Sequence, residues 1–170
     1  MSITERLVHA SPEAVWGVLA DPDAYAHWVV GSKDIRDADP SWPADGTRFH
    51  HTLAFGPIDL KDSSEVMESE EPRRLVLHVM ARPFGRGKVE MDLAPEQGGT
   101  RVTMKEGPAS PIARITYNPL TDLLLHGRNV EALRRLAALA EGDKAQPTTS
   151  RNAGANAGGG EDGPAVGPQS

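Results

Sequence analysis

The feature that most constrains the fold is a series of alternating apolar and polar stretches followed by a single long helical pattern. Successive side chains of a strand point to opposite faces, so this alternation predicts strands buried on one side only. Seven strands are predicted, at Ile3–Val8, Ser32–Ala38, Thr47–Leu53, Ile58–Glu68, Arg74–Arg82, Lys88–Leu93 and Thr100–Glu106. Seven half-buried strands and one final helix predict an α+β domain, with a curved antiparallel sheet wrapped around a long C-terminal helix.

Three helix starts have the same form, a capping side chain followed by proline. Ser11–Glu13 and Asp21–Asp23 come ten residues apart and predict two short helices after the first strand, meeting at an angle. Asn118–Pro119 predicts the start of the long helix, which runs to Glu141 and ends at Gly142.

The long helix has one predicted apolar face. At 100° per residue this face contains Leu125, Ala132, Leu133, Leu136, Leu139 and Ala140. Asn129 falls in the middle of it, and Arg128 lies beside it. Three further leucines lie off this face, at a bend, over an opening or against a partner chain, namely Leu120, Leu123 and Leu124.

Composition separates a folded domain from a tail. From Gly142 onward the only sizeable aliphatic residue is Val166, and such a segment buries too little apolar surface to offset the entropy of ordering. We therefore predict a domain over residues 1–141 and a disordered Gly/Ala/Pro-rich tail over 142–170.

Charge and cysteine content exclude several classes of protein. The net charge is −6 and no run of Lys and Arg occurs, so no nucleic-acid partner is predicted. No apolar stretch has the length of a membrane span, so no membrane insertion is predicted. The absence of cysteine excludes disulfides and thiolate catalysis, and it fits a cytoplasmic location.

Alternation also predicts which polar side chains face inward. Glu106 shares its face with Val102 and Met104, and a buried carboxylate needs a partner. Arg128 on the last helix is the candidate, either as a structural ion pair or as a pair that orients a ligand. The amide of Asn129 either hydrogen-bonds a sheet carbonyl or addresses a ligand.

A second polar group is predicted around His51, which shares a face with Phe49. Across the Gly56–Pro57 turn we expect His51 near Leu60 and diagonal to Asp62, with Ser64 next along. An imidazole held by a carboxylate is either a structural contact or a proton-handling pair.

No cofactor or metal site is predicted. His50 and His51 are adjacent in a strand and point to opposite faces, and no His-x-His or His-Glu-x-x-His spacing occurs. The chain also lacks a Gly-x-Gly-x-x-Gly loop.

Several of these segments together resemble one superfamily. They are Ser11–Trp16, Asp21–Asp23 with Trp28, Gly98–Val102 leading into Glu106, and Arg128–Asn129. Over residues 1–141 the chain resembles the helix-grip fold of the START-like (SRPBCC) superfamily, which includes the Bet v 1-type proteins, and most of all its polyketide cyclase/dehydrase-type branch.

The resemblance implies a cavity between the concave face of the sheet and the last helix. Such a cavity takes an apolar or amphipathic small molecule. The side chains that we expect to contact it are Trp28, Phe49, His51, Ser64, Met104, Glu106, Arg128 and Asn129.

Three functions are compatible with the sequence. The favoured one is a cytoplasmic binding domain for a hydrophobic, lipid- or polyketide-like molecule. The second is a cyclase/aromatase- or dehydratase-like enzyme in which His51, Asp62 or Glu106 moves protons. The third is a homodimeric interaction protein without ligand, associating through Leu120, Leu123 and Leu124.

Overall fold

The computed structural model describes residues 1–55, 58–81, 85–111 and 119–142. Its strands are β1 (Ser2–Val8), β2 (Ser32–Ala38), β3 (Arg48–Phe55), β4 (Ile58–Glu70), β5 (Arg74–Ala81), β6 (Gly85–Glu96) and β7 (Gly99–Pro108). The helices within the described residues are α1 (Pro12–Ala20), α2 (Tyr25–Trp28) and α3 (Pro119–Gly142). The predicted order of elements is confirmed.

The strands form one antiparallel sheet in the order β1-β7-β6-β5-β4-β3-β2. Strands β2 to β7 are therefore a meander of neighbours in sequence, and β1 joins it beside β7. The predicted α+β fold class, an antiparallel sheet with a long C-terminal helix, is confirmed.

The first two helices begin close to their predicted starts. The Ser11 hydroxyl accepts a hydrogen bond from the backbone N of Ala14 at 3.3 Å, and Pro12 follows it in the first turn of α1. The Asp21 carboxylate accepts from the backbone N of Asp23 at 2.9 Å, so it closes a turn, and α2 begins only at Tyr25. The Asn118 cap predicted for the long helix lies outside the described residues.

The core lies between the concave face of the sheet and helices α1 and α3. Helix α3 contributes Leu133 and Leu136, which are fully buried, and the predicted face needs one correction. Leu139 is 37% exposed, whereas Ala137 is buried. The buried face of α3 is therefore rotated towards Ala137, whose small side chain allows the helix to approach the core closely.

The outer face of the sheet is covered by charged side chains around Arg74. Its guanidinium donates to Glu90 at 2.9 Å, to Glu68 at 3.1 Å and to Asp92. The hydrogen bond from Arg74 to Glu90 is the main cause that raises the pKa of Arg74. This cluster flanks Val76, which is buried although it lies outside the main core.

The start of α3 exposes the leucines that the sequence placed off its packed face. Leu120, Leu123 and Leu124 are each about two thirds exposed, at 65%, 67% and 68%. Their role in a dimer stays a prediction, and the predicted tail lies outside the described residues apart from Gly142.

None of the helices in the described part of the chain combines the length and the apolar character needed to cross a membrane.

Candidate functional site

A cavity of about 200 Å³ lies in the predicted position, between the concave face of the sheet and helices α2 and α3. Its wall is mostly apolar. All eight side chains that the sequence assigned to a ligand site line it, namely Trp28, Phe49, His51, Ser64, Met104, Glu106, Arg128 and Asn129. The fold thus brings all eight residues to one cavity. Their contact with a ligand stays a prediction.

One wall of the cavity is a series of aromatic rings. The ring of Tyr25 lies 5.0 Å from that of Trp28 and 4.6 Å from that of Phe49, measured between centroids. Phe49 in turn lies 5.1 Å from the imidazole of His51. All three pairs are tilted, which is a favourable arrangement for aromatic rings. The rings hold one another in place and give the cavity a preformed side.

The predicted ion pair between sheet and helix is present. Arg128 on α3 donates to both carboxylate oxygens of Glu106 on β7, at 2.8 and 2.9 Å. The carboxylate side chain is 13% exposed and the guanidinium side chain 34%, so solvent reaches this part of the wall. Each charge is compensated by the other, and the pair connects strand β7 to α3 across the cavity.

His51 is buried, and its surroundings keep it uncharged. Its Nε2 lies 3.2 Å from the Ser64 hydroxyl, within hydrogen-bond distance. Burial, with smaller contributions from the charges of Arg36 and His50, lowers the pKa of His51 to about 4. The imidazole is therefore neutral at neutral pH, and a group with that pKa is a weak general base.

The register around His51 differs from the prediction by two residues. Phe55 pairs with Ile58, so only two residues separate β3 from β4, and His51 lies directly opposite Asp62 instead of Leu60. Ser64 becomes the diagonal neighbour, opposite Phe49. Asp62 is buried but does not line the cavity. The other two candidates for proton transfer, His51 and Glu106, do line it.

Three residues that line the cavity also carry a buried polar group without a hydrogen-bond partner among the described residues. The groups are the Tyr25 hydroxyl, Trp28 Nε1, and both the Oδ1 and Nδ2 atoms of the Asn129 amide. The residues are 3%, 2% and 0% exposed. Leaving such an atom unpaired in a protein interior costs about 1–3 kcal/mol. The amide of Asn129 therefore does not serve a sheet carbonyl, which was one of its two predicted roles.

Tyr25 is the main site residue that the sequence analysis missed. It lies three residues before Trp28 on α2, and residues at this spacing share a helix face. The short helix predicted after Asp21–Asp23 could therefore have placed Tyr25 on the same side as Trp28. Burial raises the pKa of the Tyr25 phenol, which therefore keeps its proton. The remaining unpredicted wall is mostly aliphatic, formed mainly by Val29, Val30, Leu77, Val79, Val89, Leu125 and Ala132.

Metal binding was not predicted. In the described part of the chain, no three His, Asp or Glu side chains cluster closely enough to hold a metal ion.

Comparison with solved structures finds the same fold in several bacterial proteins. Protein NE0264 from Nitrosomonas europaea is 20% identical with a TM-score of 0.68, covering 85% of this chain and 96% of its own. The AHSA1-like protein from Aeromonas hydrophila is 22% identical with a TM-score of 0.60, covering 85% and 94%. CalU16 from Micromonospora echinospora is 19% identical with a TM-score of 0.58, covering 84% and 77%. At these identities the likeness establishes the helix-grip fold alone.

No curated protein matches the sequence significantly. The sequence model of one family, described as polyketide cyclase / dehydrase and lipid transport, matches residues 3–141. This range includes every described strand and helix except the ends of β1 and α3. The chain therefore belongs to the polyketide cyclase / dehydrase and lipid transport family, within the START-like (SRPBCC) superfamily.

Proposed function

We propose that this protein is a cytoplasmic binding domain for a hydrophobic or amphipathic small molecule, lipid- or polyketide-like, held in the cavity between the sheet and α3. The observation that carries the proposal is a mostly apolar cavity on whose wall a few polar side chains converge, among them His51, Glu106 and Arg128. Apolar cavities with a few convergent polar groups are typical of small-molecule sites. The family description, which includes lipid transport, supports the same class of ligand.

Binding is favoured over catalysis by the state of the candidate proton carriers. His51 has its pKa lowered to about 4, far from the value near 7 that suits a general base at neutral pH. Both oxygens of the Glu106 carboxylate accept hydrogen bonds from Arg128. His51 is thus a weak proton acceptor at neutral pH, and the Glu106 carboxylate is already engaged by Arg128.

The proposal is tested by narrowing the cavity from one position. Ala132 is buried on α3 and lines the cavity, whereas Ala138 is exposed on the same helix. Ala132→Leu should fill part of the space and weaken binding at least about tenfold, because displaced ligand contacts cannot be replaced elsewhere. Ala138→Leu adds the same three carbons outside the cavity and should leave binding unchanged.

Saturation-transfer NMR with naphthalene and 1-decanol measures the effect on a ring-shaped and a chain-shaped probe. Transfer from the wild type and Ala138→Leu, with loss in Ala132→Leu, supports the cavity as the site. Equal transfer from all three proteins places the probes on the surface and contradicts the proposal. Native mass spectrometry of the protein purified from its own source then gives the mass of any ligand that it carries.

A further inference from the structure

Helix α3 has a second apolar face in its first half, and this face is exposed. Residues that recur every three or four positions form it, namely Leu120, Leu123, Leu124, Gly127 and Val130. Its four large side chains are half of the eight large hydrophobic side chains exposed among the described residues. Exposed apolar side chains are normally scattered singly, so their alignment on one helix indicates contact with a partner.

The second face of α3 continues onto the start of the sheet. Met1 and Ile3 are also exposed, and they line a surface groove together with Pro119 and Leu123. Ile3 lies on β1, which is an edge strand of the sheet. The helix and the edge strand therefore present one continuous apolar area.

Gly127 lies in the middle of this face, and its own chain gives no reason for a glycine. The position is helical, so no turn requires it. A Cβ there would meet nothing within 4 Å in the described part of the chain, so no close neighbour requires it either. Glycine weakens a helix interior relative to alanine, but it allows another backbone or side chain to approach closely.

The face is complementary to itself when two α3 helices pair antiparallel. If Leu123 of one copy lies over the partner's Gly127, the opposite direction of the helices brings Leu120 to the partner's Val130. A large side chain then fills the space left by a missing one, and this happens twice. A two-fold dimer requires such self-complementarity, because the same surface serves both copies.

Polar residues at one edge of the face fit the same arrangement. Asp122 and His126 lie one helical turn apart on the side of α3 next to β1, where Asp122 lies 3.5 Å from the amino group of Met1 and His126 Nδ1 lies 3.2 Å from Thr4 Oγ1. Antiparallel pairing brings Asp122 beside the partner's His126, whose imidazole can donate a hydrogen bond to the carboxylate. Shape and polarity therefore favour the same occupant, a second copy of this chain.

We propose that two copies of this chain associate through the second face of α3, as a two-fold symmetric dimer with antiparallel α3 helices. Met1 and Ile3 extend the contact from the edge of the sheet. The other side of α3 lines the cavity with Leu125 and Ala132, so the dimer leaves the cavity intact. The inference goes beyond the proposed function and does not depend on any ligand.

Sedimentation equilibrium of the full chain between about 1 and 500 µM tests the dimer. One short pair of helices is a small interface, so a Kd in the micromolar range is expected. Leu123→Glu places a charge in the contact and should raise the Kd at least about hundredfold. Met67→Glu, at an exposed position on β4 outside this face, is the control and should leave the Kd unchanged.

Gly127→Leu separates a specific contact from general apolar adhesion. The variant adds exposed apolar surface, yet its side chain takes the space of the partner's Leu123. The Kd should therefore rise at least about tenfold. Circular dichroism of the dilute variant should match that of the wild type, because the new side chain meets no close neighbour in its own chain.

Introduced cysteines test the antiparallel register, since the chain contains no cysteine of its own. Leu120→Cys/Val130→Cys should form disulfide-linked dimers on air oxidation, measured by non-reducing electrophoresis. Within one helix these positions lie about 15 Å apart, too far for a disulfide. Leu120→Cys alone should not cross-link, because the two copies of position 120 lie at opposite ends of the contact.

Several results would overturn the inference. A chain that stays monomeric over the whole concentration range leaves the face to a different partner. A dimer that Leu123→Glu does not weaken, or that Gly127→Leu strengthens, does not use the proposed contact. Efficient cross-linking of Leu120→Cys alone would show parallel helices. The cavity-binding proposal is unaffected by each of these results, because α3 lines the cavity with its other side.

Discussion

His51 is an imidazole that folding keeps uncharged. Its pKa is lowered from the ordinary 6.5 to about 4, mainly by burial. Between these two values the unfolded chain binds a proton that the folded chain does not bind. Lowering the pH through this window therefore favours unfolding, and the stability present above pH 6.5 declines towards pH 4.

This shift predicts a measurable pH dependence of stability. The free energy of unfolding should be about 2 kcal/mol lower at pH 5 than at pH 7 from His51 alone. His51→Gln should lose that dependence, whereas His27→Gln, at an exposed histidine, should keep it. Urea denaturation followed by tryptophan fluorescence measures both. If the free energy of unfolding fell equally with pH in the wild type and in His51→Gln, a group other than His51 would be responsible for the dependence.

At the residue scale, two positional rules predicted most of the polar site. Strand parity placed Glu106 inward, and helical angle placed Asn129 and Arg128 near the apolar face, so the ion pair of Glu106 and Arg128 followed from sequence. Tyr25 was missed although its three-residue spacing from Trp28 was available, because a four-residue helix offers too few positions to identify a buried face from periodicity alone. That the Asn129 amide has no partner could not be read from sequence either, since it depends on the side chains around it.

At the scale of elements, the turn between β6 and β7 shows why two adjacent glycines are needed for different reasons. Gly98 has φ +92°, a conformation that favours glycine, but a Cβ there would meet nothing within 4 Å. At Gly99 a Cβ would lie 2.0 Å from the backbone O of Val8, in the neighbouring strand β1. The first glycine serves the turn, and the second allows the edge strand to approach.

Alanine substitutions separate these two roles. Gly98→Ala should cost about 1 kcal/mol of stability, from backbone strain alone. Gly99→Ala should cost roughly 3 kcal/mol or more, because β1 must move away from the new methyl group. Urea denaturation at pH 7 compares them directly. Equal losses would mean that turn strain dominates and that the approach of β1 is not the constraint.

The elements themselves were largely predictable, and their pairing was less so. The alternation of apolar and polar residues predicted the strands, and the three proline-containing helix starts predicted the helices, both in the correct order. The register of His51 was wrong by two residues because it depends on how tightly the turn closes, and the Phe55–Ile58 pair leaves only two residues for it. On α3 the sequence placed Leu139 on the packed face and left Ala137 out, whereas the structure buries Ala137 instead. Side-chain volume, as well as helical angle, decides which face packs against α1 and the sheet.

At the scale of the whole molecule, the cavity is a region where the fold gives up stability. Buried polar atoms without partners at Tyr25, Trp28 and Asn129 oppose folding of the free protein. Substitutions that remove one of these groups should therefore raise the free energy of unfolding.

Equilibrium urea unfolding tests this expectation. Tyr25→Phe and Asn129→Leu should each raise the free energy of unfolding, by about 1 kcal/mol, because each removes an unpaired polar group from the interior. Ser64→Ala is the matched control in the same wall. Its hydroxyl lies 3.2 Å from His51 Nε2, so its removal should lower stability by about 1 kcal/mol instead. If all three variants lose stability alike, the three groups are equally well satisfied in the free protein.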